Sequence, residues 1–233
     1  NFNPLTSCRT IDDPGLWVFV KNITCPSNHL RLTADNIILD CNGMVLEGNS
    51  SLLGISVESD NNLISNCIVK NFTFGIEIHG SNNLLENNII ENTDIALNWT
   101  FNSNNTITGN ILRKNNVGIE TFGDGVNLVY NNYFSNSINV NDMYYNYWNT
   151  TLTHGTNIVG GPFIGGNFWH DYYGIDNSSD GIGDTPIPYT SNGNINGGDY
   201  LPLIDYKCGD LDNNGAVDVI DVVKMIGVAF RGS

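Results

Sequence analysis

Charge is scarce in this chain, and positive charge is scarcest. Only 14% of the 233 residues are charged, and 24 acids stand against 9 bases, a net charge of −15 at pH 7. A nucleic acid or an anionic membrane surface would repel such a chain, so both partner classes are excluded. Long apolar runs are also missing. No stretch approaches the roughly 20 residues of a membrane-spanning helix, and the start at Asn1, with no leader segment visible, fits a mature, processed chain. Histidine (29, 79, 154, 170) and methionine (44, 143, 225) are few and scattered, and no two form a pair of soft metal ligands.

Asparagine fills the space that charge leaves. There are 39, about one residue in six. With ample β-branched residues this is not a disordered composition; it calls for a fold in which Asn has repeated turn or ladder work. The sequence repeats accordingly. NNLISNCIVKNFTFGIEIHG begins at Asn61, NNLLENNIIENTDIALNWTF at Asn82, NNTITGNILRKNNVGIETFG at Asn104 and VNLVYNNYFSNSINVNDMYY at Val126. The offsets are 21, 22 and 22 residues, and an earlier copy with a small insertion starts at Asp35. Each unit holds two or three apolar runs of three or four residues, too short for helices and rich in Ile and Val. Three short strands per unit describe one coil of a right-handed parallel β-helix, an all-β fold whose coils stack at about 4.8 Å. The alignment predicts an interior stack of Ile64, Leu85, Ile107 and Leu128. It predicts a turn position at Asn66, Asn87, Gly109 and Asn131, where one Asn both accepts left-handed backbone geometry and bonds to the coils above and below.

Four of the five cysteines, Cys8, Cys25, Cys41 and Cys67, fall in the first third. They suggest two disulfides and an oxidising compartment, with buried free thiols as the alternative. The repeat superposes Cys41 on Cys67 in neighbouring coils, close enough for a bridge or for a buried cysteine stack. Cys8 and Cys25 flank GLWVFVKNIT and are placed to staple an N-terminal cap; Cys208 has no evident partner. Seven sequons, at Asn22, Asn49, Asn71, Asn98, Asn104, Asn149 and Asn177, permit glycosylation in a secreted chain.

NIILDCNGMVLEG, the NN-x-I-x-x-N-x-I coils and the closing GGNFWHDYYGIDNSSDGIGDTPIPY…GGDYLPLI together resemble the parallel β-helix repeat proteins, in particular the NosD-like group of microbial surfaces. The resemblance covers roughly residues 8–204. It implies a copper-binding or sugar-hydrolase-like protein, although the scattered His and Met residues give copper little support. The chain is read as an N-terminal cap (1–34), coils (35–166), an aromatic and Asp-rich terminal cap (167–206) and a small calcium loop–helix (207–233).

Ten of the 24 acids lie between Asp171 and Asp221, with Lys207 the only base among them. Such a cluster repels itself unless cations bind it. GDLDNNGAVDVID maps onto a twelve-position oxygen-ligand loop: Asp210, Asp212 and Asn214 at positions 1, 3 and 5, Gly215 at the turn, the Ala216 carbonyl, Asp218 and a closing Asp221. With the apolar segment after it, this loop resembles one half of a dockerin module. A second run, DNSSDGIGD, sets Asp176, Ser178, Asp180, the Ile182 carbonyl and Asp184 at positions 1, 3, 5, 7 and 9, with Asp199 or Asp205 left to close it; an Asx-turn loop without metal is the alternative. Calcium is therefore the expected cofactor. The aromatics around the run (Phe168, Trp169, Tyr172, Tyr173, Tyr189, Tyr200) are expected to pack as a cap rather than to stack on sugar.

An enzyme of polysaccharides would need paired carboxylates or a Lys/Arg base on an exposed sheet face. Glu58 and Glu77 are expected to align in adjacent coils, with Glu120 two coils on, and the ordinary reading is a solvated ladder. The sequence thus favours a secreted, calcium-stabilised structural or adhesive surface protein without catalytic residues. It is expected to associate with itself, as a filament joined through its ends, or with another surface protein through its C-terminal loop–helix. The alternative is a carbohydrate-binding or polysaccharide-degrading β-helix.

Overall fold

The computed structural model describes residues 2–27, 29–50, 52–190 and 193–205. The loop and helix expected at 207–233, with Asp210, Asp212, Asn214, Ala216, Asp218 and Asp221, lie outside the described residues, as does Cys208. The chain begins with β1 (Asn3–Leu5) and β2 (Thr10–Ile11), then makes six three-strand coils. These are β3 (Gly15–Phe19), β4 (Ile23–Thr24) and β5 (Leu30–Leu32); then β6 (Ile37–Asp40), β7 (Val45–Glu47) and β8 (Leu53–Val57). Next come β9 (Leu63–Ser65), β10 (Ile68–Lys70) and β11 (Phe74–Ile78), followed by β12 (Leu84–Glu86), β13 (Ile89–Glu91) and β14 (Ile95–Thr100). β15 (Thr106–Thr108), β16 (Ile111–Arg113) and β17 (Val117–Phe122) form the fifth coil, and β18 (Leu128–Tyr130), β19 (Tyr133–Ser135) and β20 (Ile138–Asp142) the sixth. A small antiparallel hairpin, β21 (Thr153–His154) with β22 (Phe163–Ile164), precedes β23 (Phe168–Trp169) and β24 (Gly193–Asn194).

Like strands of successive coils pair in parallel, so three sheets run the length of the stack. The first begins at β1 and ends at β18, the second runs from β4 to β23, and the third, of eight strands, from β2 to β24. Residues 1–34 contribute β1–β5 to these sheets, so this end is built of coil strands. The Cys8–Cys25 bridge ties them together, and Cys41–Cys67 joins two neighbouring coils with Cα atoms 4.7 Å apart.

The pleat fixes what faces inward. Ile64, Leu85 and Ile107 stack as expected, but the column continues through Val129, because the register pairs Ile107 with Val129 and Thr106 with Leu128. Leu128 is half-buried on the outer side. The second sheet stacks Leu46, Val69, Ile90, Leu112, Phe134 and Trp169.

Asparagine does two jobs at the corners, turning the backbone and building a buried ladder. The first of each pair takes the left-handed backbone: Asn61, Asn82 and Asn104 at one corner (φ 61°, 59° and 63°), Asn66, Asn87 and Asn131 at the next (56°, 57° and 55°), where Gly109 substitutes at 68°. The second is buried and builds a ladder. Backbone N–H groups of Asn62, Asn83, Asn105 and Asn127 donate to the side-chain oxygen of Asn83, Asn105, Asn127 and Asn146 in the following coil, at 2.8–2.9 Å. The expected single Asn serving both purposes holds in part: Asn66 and Asn104 keep the left-handed backbone and donate through Nδ2 to Asp40 and Asn82 of the preceding coil, at 3.1 and 3.2 Å, while the buried ladder is built by their neighbours.

Candidate functional site

Two regions concentrate polar chemistry: the outer face of the eight-stranded sheet and the closure at the C-terminal end. On the sheet face one outward column reads Arg31, Ser56, Glu77, Asn98, Glu120 and Asn141. Glu58 lies two residues along from Ser56, so it does not align with Glu77 as expected; carboxylates and amides alternate in the column instead. Each acid has its partner. Glu58 is gripped by Arg31 through two bonds of 2.8 and 2.6 Å and accepts from Ser56 at 3.0 Å, so its carboxyl is held below the usual carboxylate range, first by the guanidinium. Asn98 Nδ2 donates to Glu77 at 3.1 Å and Asn141 Nδ2 to Glu120 at 3.0 Å. His79 places Nε2 3.2 Å from Glu77 and Nδ1 3.1 Å from the Thr100 hydroxyl. On this face the carboxylates of Glu58, Glu77 and Glu120 are each bonded by a neighbouring side chain. One atom stands apart: the Asn98 side chain is only 5% exposed, and its oxygen has no hydrogen-bond partner.

At the closure, three Asn ladders arrive with their donors pointing the same way, and each ends on a carboxylate. The ladder through Asn127 and Asn146 ends where Asn146 Nδ2 donates to Asp142 at 2.9 Å. The ladder through Asn88, Asn110, Asn132 and Asn167 ends where the Asn167 N–H donates to Asp199 at 2.7 Å. The third runs from Thr93 through Asn115, Asn136 and Asn139 to Asp171, at 2.8 Å. Aligned amide dipoles leave a surplus of donors at one end, as at a helix N-terminus, and an acceptor-only carboxylate satisfies it. Asp142 and Asp199 are fully buried and each also holds an indole: Trp148 Nε1 on Asp142 at 3.1 Å and Trp169 Nε1 on Asp199 at 2.9 Å. Burial raises the Asp142 carboxyl and pushes Asp199 up to about 7, against the pull of their donors.

Aromatic rings finish the core. Phe134, Trp169 and Tyr189 stack face to face, with centroids 4.4 and 4.5 Å apart. Of the six expected cap aromatics, Trp169 and Tyr189 are buried, Phe168 and Tyr172 half-buried, and Tyr173 and Tyr200 exposed.

The DNSSDGIGD run is a compact loop. Asp176 accepts from the N–H of Asp180 and Gly181 and from the Ser178 hydroxyl; Asp184 accepts from the N–H of Asn177 and Ser178; Asp180 accepts from Ile182 N–H. Asp199 is committed to Asn167, Trp169 and Leu201 instead of closing this loop. Among the sequons, Asn22, Asn49, Asn104 and Asn177 are exposed, Asn71 and Asn149 half-buried, and Asn98 buried.

A stack of parallel coils stitched by internal Asn ladders makes this a parallel β-helix protein. Residues 15–174 match the NosD family, described as periplasmic copper-binding protein, and the chain belongs to that family. No curated protein and no solved structure matches it. The described residues do not offer a copper donor set. No group of three or more His, Cys, Asp or Glu side chains converges among them. On the sheet face Glu77 and His79 bond each other, and with Glu58 they also engage Asn98, Thr100 and Arg31. No helix among the described residues is long and apolar enough to cross a membrane.

The three terminating aspartates were not singled out as such from sequence. Asp171 and Asp199 take their ladder donors from 32 residues away, whereas Asp142 takes Asn146 and Trp148 from four and six residues on. The available signal was the run of Asn-aromatic-Trp in NFW, where an inward Asn and an inward Trp two residues apart need a shared buried acceptor.

Proposed function

We propose that the chain is a rigid spacer module of a secreted or periplasmic surface protein, stabilised by calcium towards its C-terminal end and joined to neighbours through its ends. The observation that carries this reading is the pairing of the outer sheet face: each carboxylate of the Arg31–Asn141 column is occupied by a neighbouring amide or cation, which suits a load-bearing wall better than a catalytic groove. Lys70 on Glu47 and Arg113 on Glu91 extend the same pattern to the second sheet. At the N-terminal end β1, β2 and β4 are edge strands with no partner on their outer side among the described residues, and such edges invite strand pairing with a second chain. Calcium binding rests on the ligand spacing of the 210–221 loop and on the similar spacing of Asp176, Ser178, Asp180 and Asp184 in sequence.

Electron microscopy and light scattering of the full chain test this. Particles are expected to lengthen in millimolar calcium and shorten again with EGTA; particles that stay monomeric at high calcium overturn the end-to-end assembly. A second reading has its own support. The half-buried apolar column Phe74, Ile95 and Val117, on the same sheet as Glu77 and Glu120, favours a ligand with both apolar faces and hydroxyl donors, such as a polysaccharide strand. Release of sugar or unsaturated product from a polysaccharide panel would replace the spacer reading with this one.

A further inference from the structure

On the outer face of the second sheet, away from the features above, lies a cleft of about 440 Å³. Ile111 and Tyr133 line it from the sheet, Ile158 and Val159 from an overhanging turn, and Arg113, Lys114 and Ser135 supply its polar groups. The overhang is fixed by the protein itself. Ile158 N–H donates to the Asn131 side chain at 2.8 Å, and the buried Asn157 side chain accepts from Val159 and Gly161 and donates to the Phe163 carbonyl. Tyr133 is held by stacking on Phe168, with centroids 4.6 Å apart.

The charge in this cleft is unusual for the molecule. The outward column Glu47, Lys70, Glu91, Arg113 alternates in sign, but the next coil offers Ser135 where an acid would continue the pattern. Arg113 lines the cleft and bonds Glu91 through Nε at 2.9 Å, so its remaining guanidinium donors are not used by Glu91. Lys114 makes no ion pair among the described residues, in a chain where acids outnumber bases by 24 to 9. Its backbone is also strained. Lys114 has φ 58° at the corner where the two preceding coils carry Asn71 and Asn92, at 61° and 55°. Asn tolerates the left-handed region far better than Lys, and a residue held there against its preference points to a task for its side chain.

We propose that this cleft binds a small organic anion, with its acid group on Lys114 and Arg113 and its apolar body against Ile111, Ile158 and Val159. Two cations give charge-assisted hydrogen bonds to one acid group, with the Ser135 hydroxyl as a third donor. The net negative charge of the chain is no barrier, because screening confines it to about 8 Å at physiological salt while the two cations act at contact.

The test uses the full chain and 1-anilinonaphthalene-8-sulfonate, an anion on an aromatic body. Its fluorescence is expected to rise saturably, and octanoate or octyl phosphate to displace it, the more effective of the two showing whether carboxylate or phosphate fits better. Neutral octyl glucoside is expected to fail. Lys114→Asn, which restores the residue that the corner carries in the neighbouring coils, and Arg113→Gln should each weaken binding about tenfold, the loss of one hydrogen bond to a charged group. Lys21→Asn, at an exposed lysine in the first coil, should leave binding unchanged, and thermal unfolding of each variant checks that the fold is kept. Displacement by octyl glucoside as effective as that by octanoate, or undiminished binding in a folded Lys114→Asn/Arg113→Gln variant, overturns the proposal.

Discussion

The coils from Gly15 to Asn141 and the closure from Asp142 onward both bury many amides, and they satisfy them in opposite ways. Within the coils, translation does the work: each inward Asn accepts from the coil before it, and the coil after repeats the favour, so no residue needs a special partner. The closing segment has no next coil. It replaces repetition with single residues, Asp142, Asp171 and Asp199 for the ladder donors and Trp169 and Tyr189 for the apolar column. A repeat thus spreads its polar cost evenly, whereas an end concentrates it in a few side chains.

The sharpest way to break this contrast is to delete one terminator and one rung. Asp199→Ala strands the Asn167 N–H, the Trp169 indole and the Leu201 N–H in a buried site, and should cost about 3–5 kcal/mol in urea unfolding. Asn110→Ala, in mid-ladder, removes one acceptor for Asn88 and should cost about 1–3 kcal/mol. Equal losses would mean that the end is no different from the middle.

The two regions should also respond to pH with opposite sign. Asp199, at about 7, and Asp142 are raised by burial, so the folded chain holds more protons than the unfolded one between about pH 4 and 7. Stability from the closure is then greatest below that window and falls as pH rises through it. Glu58, in the coils, is lowered by Arg31; its contribution is present above the ordinary carboxylate value and lost as pH falls through its folded value. The melting midpoint should therefore decline from about pH 5 to 8, and Asp199→Asn should flatten the decline while Glu58→Gln leaves it intact. A midpoint that climbs over this range contradicts the assignment.

These differences mark how far the sequence could be read. Period and strand content were legible because a coil restates itself: Ile64, Leu85 and Ile107 carry the register without help from the rest of the chain. The fourth member was misplaced by one residue, at Leu128 for Val129, which in a strand of period two turns a side chain from core to surface. Asn doublets were visible, but their division of labour was not, since it depends on which of two adjacent residues the corner turns inward. The acid-rich segment invites reading as a cation site, yet protein donors occupy part of it: Asp171 and Asp199 face amide and indole groups of Asn139, Asn167 and Trp169. A repeat reveals itself in sequence; an end, built of contacts about 30 residues apart, does not.

The smallest effect sharpens the comparison inside the coils themselves. Asn92 and Lys114 occupy the same corner in neighbouring coils, with nearly the same backbone, φ 55° and 58°. Asn92 is exposed at that corner, so its preference for the left-handed region is the main thing it contributes. Exchanging the two identities separates backbone strain from side-chain use. Lys114→Asn should raise stability by up to about 1 kcal/mol, the part of the left-handed penalty that Asn avoids, and Asn92→Lys should lower it by a similar amount, offset by no more than a few tenths from attraction to exposed neighbouring acids. Chemical denaturation of both variants, with the double exchange as a check on additivity, reads the result. If Lys114→Asn gains nothing while Asn92→Lys loses its full share, then Lys114 already recovers its strain through contacts in the native fold, and the lysine is retained for stability instead of for the cleft.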